Sequence, residues 1–311
     1  MLDSLLVRAE RAISAGELGL GEELCREALE VSETAHRAQW GLATIALMRD
    51  DPDEAVKRAK KAVEGDETNI EYRMTLADAY GAKAMQGGLG SMLYAGRYKR
   101  ALEDVLELDP KHIGAQLGLM YYCIYAPSVA GGGMDGARER ADVIAGIDEY
   151  YGHLGHAVIA KREEDLVTAE IEYLAAAMVD EDNAEGWYLL GTFYLDTDRP
   201  DEAVGPFRRF LTLEPENLVG VYQLSKAHYE AGVDLAEAEE GFQRYIAADE
   251  RPARPEVAAA HWRLGLVYEA QGRLDEAMYE YETALKHNPN YKAAEEAKDA
   301  LEERRWGEAN E

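Results

Sequence analysis

His153 and His156 are the first residues in this chain that could do chemistry. Their imidazoles lie about one helical turn apart, and Asp148 or Glu149 could complete a metal site with them. The surrounding periodicity argues against it. His156 falls where the apolar pattern wants a core residue, so no metal site is expected there. Gly131-Gly132-Gly133 looks like part of a phosphate loop, but no Lys-Ser/Thr follows it and no strand-like run precedes it. A tight helix connection is expected instead. There is no Gly-x-Ser-x-Gly elbow, and no local motif pairs a cysteine with a histidine. Cys25 and Cys123 are far apart, each at an inward helical position, and read as buried thiols rather than a bridge. Carboxylates are everywhere, but nothing singles out a catalytic pair. The residues therefore suggest no enzyme, no catalytic residue, no metal and no cofactor.

The elements that would position these residues repeat. Eight stretches can be laid over one another with a period near 34 residues. The clearest copy runs from Ala258 to Tyr291, and the stretch from Ala184 to Asn217 repeats its grammar. Leu190-Gly191 matches Leu264-Gly265, Tyr194 matches Tyr268, Ala203 matches Ala277, Phe207 matches Tyr281 and Pro215 matches Pro289. Each copy holds two amphipathic helices. In the last copy Leu264, Tyr268, Ala277, Tyr281 and Ala284 are expected to face inward, with Gly265 and Ala277 small enough for close helix approach. Gly272 ends the first helix and Pro289 stops the second. A lone copy should not fold. Ordering 34 residues costs on the order of 50 kcal/mol, which burial of roughly 2,000 Å² would offset, and only stacked neighbours supply that area.

The copies are placed at about 2–35, 36–69, 70–112, 113–149, 150–183, 184–217, 218–257 and 258–291, in a single domain spanning 1–311. Residues 292–305 read as a C-terminal capping helix, with the tail from Trp306 frayed. A helix–turn–helix period of this length with these residues resembles the tetratricopeptide repeat (TPR). The resemblance implies an all-α, right-handed α-solenoid of about eight TPR-like hairpins. Two copies carry extra residues, around 85–96 and 126–136. Both insertions fall at the turn between paired helices and are expected to project from one rim. Tyr80-Gly81, Lys83-Ala84, Ala126-Pro127 and Gly131 to Gly133 are similar to segments of uncharacterised bacterial TPR proteins, many of which carry export signals.

Composition narrows the choice of partner. The net charge of −28 argues against binding nucleic acid through its phosphates or docking on anionic lipid. Lysine is scarce, 11 against 22 arginines, which fits adaptation to high salt and equally fits a GC-rich genome. No apolar run is long enough for a membrane span. The N-terminus shows no secretory signal, so the sequence as it stands reads as cytoplasmic, with export open if a leader was removed.

TPR arrays hold partners along the first helices of successive copies, and the resemblance carries that face onto particular residues. These are Trp40 and Thr44, Met74 and Asp78, Tyr121 and Tyr125, Tyr188 and Thr192, Tyr222, Lys226 and Tyr229, and Trp262. The aromatic side chains among them suit an interface, because they lose few rotamers on binding; the alternative is that these rings pack on neighbouring repeats, as is expected of Trp187. Chaperone-binding TPR domains clamp a terminal carboxylate with Lys, Asn and Arg. Here the equivalent places hold Trp40, Thr44, Tyr188, Thr192 and Arg263, so that clamp is not reproduced. Arg97 to Arg100 form a basic cluster expected to pair with Glu103, Asp104 and Glu107 one turn on. The expected function is a non-catalytic scaffold or adaptor binding a protein or peptide with basic or amphipathic segments. The alternatives are an exported small-ligand-binding protein or a self-assembling scaffold, a homo-oligomer.

Overall fold

The computed structural model of the chain describes residues 2–32, 35–88, 90–252 and 254–308. Among these residues there are seventeen α-helices, one short 3-10 helix and no strand. That is what eight helix pairs and a cap require. The chain divides into two compact units, Met1–Asp165 and Leu166–Glu311.

The first unit holds α1 (Leu2–Ser14), α2 (Leu18–Val31), α3 (His36–Met48), α4 (Pro52–Gly65), α5 (Ile70–Met85), α6 (Ser91–Leu108), α7 (Ile113–Tyr125), α8 (Met134–Ala145) and α9 (Glu149–Arg162). The second holds α10 (Leu166–Val179), α11 (Ala184–Asp196), α12 (Pro200–Leu213), α13 (Leu218–Ala231), α14 (Leu235–Ala247), α15 (Val257–Ala270), α16 (Leu274–His287) and α17 (Lys292–Glu308). Odd-numbered helices up to α15 open a repeat and are called A helices. The even-numbered helices that follow them in the chain are called B helices.

Local signals explain where the helices start and stop. Pro52 and Pro200 stand at the first turn of α4 and α12, where a missing N–H costs nothing. The side chains of Asn69, Asp148 and Asn217 cap α5, α9 and α13 by accepting hydrogen bonds from Tyr72, Tyr151 and Gly220 backbone N–H groups at 3.1 Å. The A-to-B turns repeat one geometry. The N–H of Asp51, Arg199 and Arg273 bonds back to the carbonyl of Ala46, Tyr194 and Tyr268 at 2.8–2.9 Å. The residue just before each donor is left-handed: Asp50 (φ 57°), Asp198 (φ 58°) and Gly272 (φ 77°). A short polar side chain tolerates that conformation where glycine is not used.

The core is built from small residues plugged by rings. Ala55, Ala59 and Ala62 of α4 are fully buried, which lets neighbouring helices approach closely. Leu264, Tyr268, Ala277, Tyr281 and Ala284 are all buried, as the repeat grammar predicts. Gly265 is needed because a Cβ there would stand 2.4 Å from the Tyr281 ring. Cys25 is buried and its thiol is pushed up to about 11 by loss of hydration, while half-buried Cys123 is raised by the same cause. These surroundings disfavour the thiolate form of both.

The two insertions, expected to project from one rim, are built differently from each other. Most of the 85–96 segment is helical: α5 runs on to Met85 and α6 begins at Ser91 and reaches 18 residues. Leu89 lies outside the described residues. The extra chain thus lengthens a helix pair. The 126–136 segment is a compact loop with a 3-10 turn, Ser128–Ala130. Gly132 is obligatory in it, since a Cβ would fall 1.9 Å from the Ala126 carbonyl oxygen. The Tyr122 hydroxyl donates to the Ala130 carbonyl at 2.7 Å and ties the loop down.

The capping helix is longer than expected. It runs through Trp306 to Glu308, with Ala294 and Leu301 fully buried. Residues 309–311 of the tail lie outside the described residues.

Candidate partner-binding face

In the first unit the A-helix face is set by α3, α5 and α7. On α3 the Trp40 indole N–H donates to the Thr75 hydroxyl of α5 at 2.9 Å, and its ring tilts against Tyr72. Thr44 donates its hydroxyl to the Trp40 carbonyl, so it is occupied within its own helix. Met74 on α5 reaches α7, its Cε lying 3.6 Å from where a Cβ of Gly114 would be. Trp40 and Met74 are therefore half-buried joints between A helices.

Asp78 and the tyrosines of α7 stand apart from these joints. Asp78 is exposed and has no ion pair or hydrogen bond among the described residues. Even so, loss of hydration beside the neighbouring helices pushes its carboxyl above the usual aspartate range. Its charge is close enough to Tyr98 to raise that phenol too, second to burial. Tyr121 is 40% and Tyr125 69% exposed, and their rings stack at 6.4 Å with 11° between planes. This face thus offers a carboxylate with no cation beside it among the described residues and an exposed aromatic step.

In the second unit the same face is built differently. Tyr188 packs edge-on to Phe207 and tilted to Phe210, and Thr192 donates to the Tyr188 carbonyl. The Tyr222 ring is 5% exposed and packs on Phe242 and Tyr245. It is a core residue, and only its hydroxyl takes part in the face, accepting from Arg263 Nε at 3.0 Å. Arg263 also donates to Glu230 at 3.1 Å and lies over the Trp262 ring, and Lys226 stands 3.9 Å from Glu230. Trp262 meets Tyr291 edge-on, and its buried indole N–H has no partner among the described residues. Half-buried Tyr229 is raised by loss of hydration and then by Glu269. Glu269 accepts from the Tyr281 hydroxyl at 2.7 Å and pairs with Arg304 of the cap. The buried Tyr281 phenol is pushed far up, by burial first and then by Glu269.

The structure therefore brings Trp40, Thr44, Met74, Asp78, Tyr121 and Tyr125 onto one unit and Tyr188, Thr192, Tyr222, Lys226, Tyr229 and Trp262 onto the other. Of these residues only Asp78, Tyr121 and Tyr125, all on the first unit, are exposed. Sequence reasoning missed the internal pairing of Arg263, Glu230 and Glu269; their positions on the A helices, within two turns of the aromatics, were the available signal. Trp187 donates its N–H to the Glu181 carbonyl at 3.0 Å. The basic cluster is spent partly as expected: Lys99 lies 3.5 Å from Glu103, whereas Arg97 stacks on Tyr80 and Tyr94. Asp104 instead pairs with Arg73 of α5. His153 and His156 lie 3.9 and 3.4 Å from Glu149 and Asp142. No group of three metal-ligating side chains is found among the described residues, nor a helix long and apolar enough to cross a membrane.

Comparison with known proteins agrees with this architecture. Residues 258–291 match the family model of the tetratricopeptide repeat. The Emericella nidulans protein bimA is 30% identical over 123 residues, which cover 39% of this chain and 14% of that protein, so the match spans a small part of its length. Among solved structures, the Cut9–Hcn1 hetero-tetramer of the APC/C aligns over 96% of this chain and 55% of that one, with 12% identity and a TM-score of 0.54, a likeness of fold. A thermophilic TPR protein of Thermus thermophilus aligns over 73% of this chain and 98% of that one, at 18% identity and a TM-score of 0.45.

Proposed function

We propose that this tetratricopeptide-repeat protein is a non-catalytic scaffold that holds a segment of another protein against the A helices α3, α5 and α7. The observation that carries the reading is the exposed Tyr121–Tyr125 step. Stacked rings in solvent bury apolar area on binding while losing little side-chain freedom. Asp78 on the neighbouring A helix supplies the polar anchor. It is an exposed carboxylate lacking a counter-ion among the described residues, so a lysine or arginine of the partner meets no competing cation there. The remaining acidity of the chain favours basic segments and repels acidic ones. A partner segment that is basic, or amphipathic with basic flanks, fits all three features.

The test is affinity capture from the source cell's lysate at native salt, comparing the wild type with a Tyr121→Ala/Tyr125→Ala variant of unchanged helicity. Proteins retained only by the wild type are the expected result. The same proteins on both would sink the reading.

Small-ligand binding draws on a cleft of about 460 Å³ beside the 126–136 loop, lined by Cys123, Ser128, Gly132, Gly133, Arg162 and Glu163. The cleft is open to solvent and encloses little, whereas small-ligand sites bury most of their ligand. The scaffold reading is therefore favoured.

A further inference from the structure

Four arginines lie over aromatic rings among the described residues: Arg97, Arg199, Arg263 and Arg273. Three of them spend N–H groups on a carboxylate of the chain. Arg199 binds Glu170, Arg273 binds Glu239 and Arg263 binds Glu230. Arg97 has no carboxylate among the described residues. Aligning the copies shows what is missing. Tyr80, Tyr194 and Tyr268 take the eleventh place of the copies 70–112, 184–217 and 258–291. Arg199 lies over Tyr194 and Arg273 over Tyr268. The carboxylate that joins each is the fifth residue of the preceding B helix, Glu170 of α10 and Glu239 of α14. Glu22, fifth in α2, binds Arg49 in the same manner. In α4 the fifth residue is Val56, which is buried. One turn along the same side stands Lys60, with Nζ 6.0 Å from the centre of the Tyr80 ring. Arg97 Cζ is 5.9 Å from that centre and 5.2 Å from the centre of Tyr94. The third copy thus keeps the ring and the guanidinium, lacks the acid and adds a second cation.

We propose that Arg97 and Lys60, set around Tyr80, bind a carboxylate supplied from outside the chain, and that its source is a short acidic segment of another protein. The other copies select the chemistry, because a glutamate side chain fills the corresponding place in them. Two rings hold the Arg97 guanidinium while its N–H groups stay unspent, so it can donate two parallel hydrogen bonds to one carboxylate. The surrounding charges favour more than one acid. Four of the six acids on α4 and α6 pair with cations of the chain. Only Glu64 and Glu107 remain, against Lys60, Lys61, Arg97 and Arg100, none of which has an ion pair among the described residues. Asp78 does not supply the missing acid, since residues two apart on a helix do not share a face. A second copy would bring a net charge of −28 against an equal charge, which disfavours it as the source. These residues are separate from the Tyr121–Tyr125 step and take the opposite charge, so this site and the proposed function are tested apart.

The experiment is fluorescence anisotropy of a labelled Glu/Ser peptide titrated with the full chain at physiological salt. A Gln/Ser peptide of the same length is the control for charge and should not bind. The variants are Arg97→Lys, Lys60→Gln and Val56→Glu, with helicity and melting compared to wild type. Arg97→Lys keeps the charge but loses the fork, and should weaken the acidic peptide about tenfold. Lys60→Gln should weaken it about threefold, as for an exposed charge. Val56→Glu, which restores the acid of the other copies, should block the peptide although both cations remain. Val129→Glu adds the same charge at a loop position 89% exposed and should leave binding within about twofold. These differences should persist in a Tyr121→Ala/Tyr125→Ala background. No binding of the acidic peptide, equal binding by wild type and Arg97→Lys, or equal effects of the two Glu substitutions overturns the proposal. So does displacement of the peptide by inorganic phosphate at lower concentration than by free glutamate, which would make phosphate the ligand. Self-association of the wild type that Arg97→Lys lacks would make a second copy the occupant and overturn it too. If Val56→Glu loses helicity, Lys60→Glu at an exposed position replaces it: it should block the peptide more fully than Lys60→Gln, and equal binding by the two overturns the proposal.

Discussion

The A-helix faces of the two units are made from the same repeat positions and end in opposite states. In the second unit Arg263 bonds Glu230 and the Tyr222 hydroxyl, and separately Glu269 accepts from Tyr281 and pairs with Arg304 of α17. In the first unit Asp78 has no counter-ion among the described residues, and Tyr121 and Tyr125 stack in solvent. Aromatic residues at groove positions therefore do not by themselves make a binding face. What separates the two faces is exposure: Asp78, Tyr121 and Tyr125 are exposed, whereas none of the six groove residues on the second unit is. A group paired internally must give up that bond before it can take a ligand, whereas an unpaired one gives up only water.

The largest expected effect would break the second unit's closure. Leu301 is fully buried where α17 seals against the core that holds Tyr222, Phe242 and Tyr281. Leu301→Ala should destabilise by about 2–5 kcal/mol, the usual range for emptying a core leucine site. Denaturant unfolding gives the size, and amide exchange should show faster opening in α15 and α16 with α3 to α7 unchanged. Equal loosening in both units would mean that the cap serves more than its own unit. Next comes the open face. Tyr121→Ala/Tyr125→Ala should leave stability within about 0.5 kcal/mol, as expected of exposed positions. It should weaken a captured basic partner tenfold or more, about 1.4 kcal/mol. A stability loss above about 2 kcal/mol, outside the range of ordinary surface substitutions, would show that the rings are structural and remove the contrast between the faces.

Much of the architecture was legible in the sequence because its causes are local. Leucine–glycine pairs, capping Asn and Asp residues, turn glycines and terminal prolines act over a few residues, and the helices fall where they direct. Tyr222 shows where this stops. Its position on α13 is that of Tyr188 on α11, and each ring packs on an aromatic pair of the next helix, Phe242 and Tyr245 for one and Phe207 and Phe210 for the other, yet Tyr222 is buried and Tyr188 half-buried. No pattern within one helix encodes that difference. The outcome of the 85–96 insertion was hidden for a similar reason. Extra residues at a turn form a loop or lengthen two helices according to whether the extension finds packing. Tyr94 does, against Tyr80 at 6.1 Å. The pairing of Arg263 with Glu230 spans 33 residues, so it depends on the stacking of adjacent repeats.

A smaller effect sharpens the comparison through pH. Loss of hydration beside the neighbouring helices holds the Asp78 carboxyl above its ordinary value in the folded chain. As pH falls, the folded state therefore takes up this proton before the unfolded state does, and this group's contribution to stability rises through that range. The charged form needed to bind a cation disappears over the same range. A basic partner should thus begin to release at a higher pH than an ordinary aspartate would dictate. Asp78→Asn should flatten that part of the profile and weaken binding at pH 7 by up to about fivefold, matching an ion pair worth about 1 kcal/mol. A pH profile unchanged by the substitution would remove Asp78 from the site.

The smallest effect is expected where the second unit looks most heavily bonded. Glu230 and Arg263 form a pair at 3.1 Å, with side chains 33% and 14% exposed, and Lys226 stands near. Their proximity invites the view that they lock the face shut. The energetics say otherwise. A pair of this exposure is screened and holds two long side chains in one geometry, so a double-mutant cycle of Glu230→Gln with Arg263→Gln should give a coupling of about 1 kcal/mol or less. Arg263→Gln alone should lose more than Glu230→Gln, because the guanidinium also bonds the Tyr222 hydroxyl and covers the Trp262 ring. If Glu230→Gln by itself let a labelled amphipathic Leu/Lys peptide bind across α13 and α15, this network would be what closes the second face. If the face stays closed, then Trp262, Tyr291 and the packed cap are what close it, and the difference between the units is one of packing rather than charge.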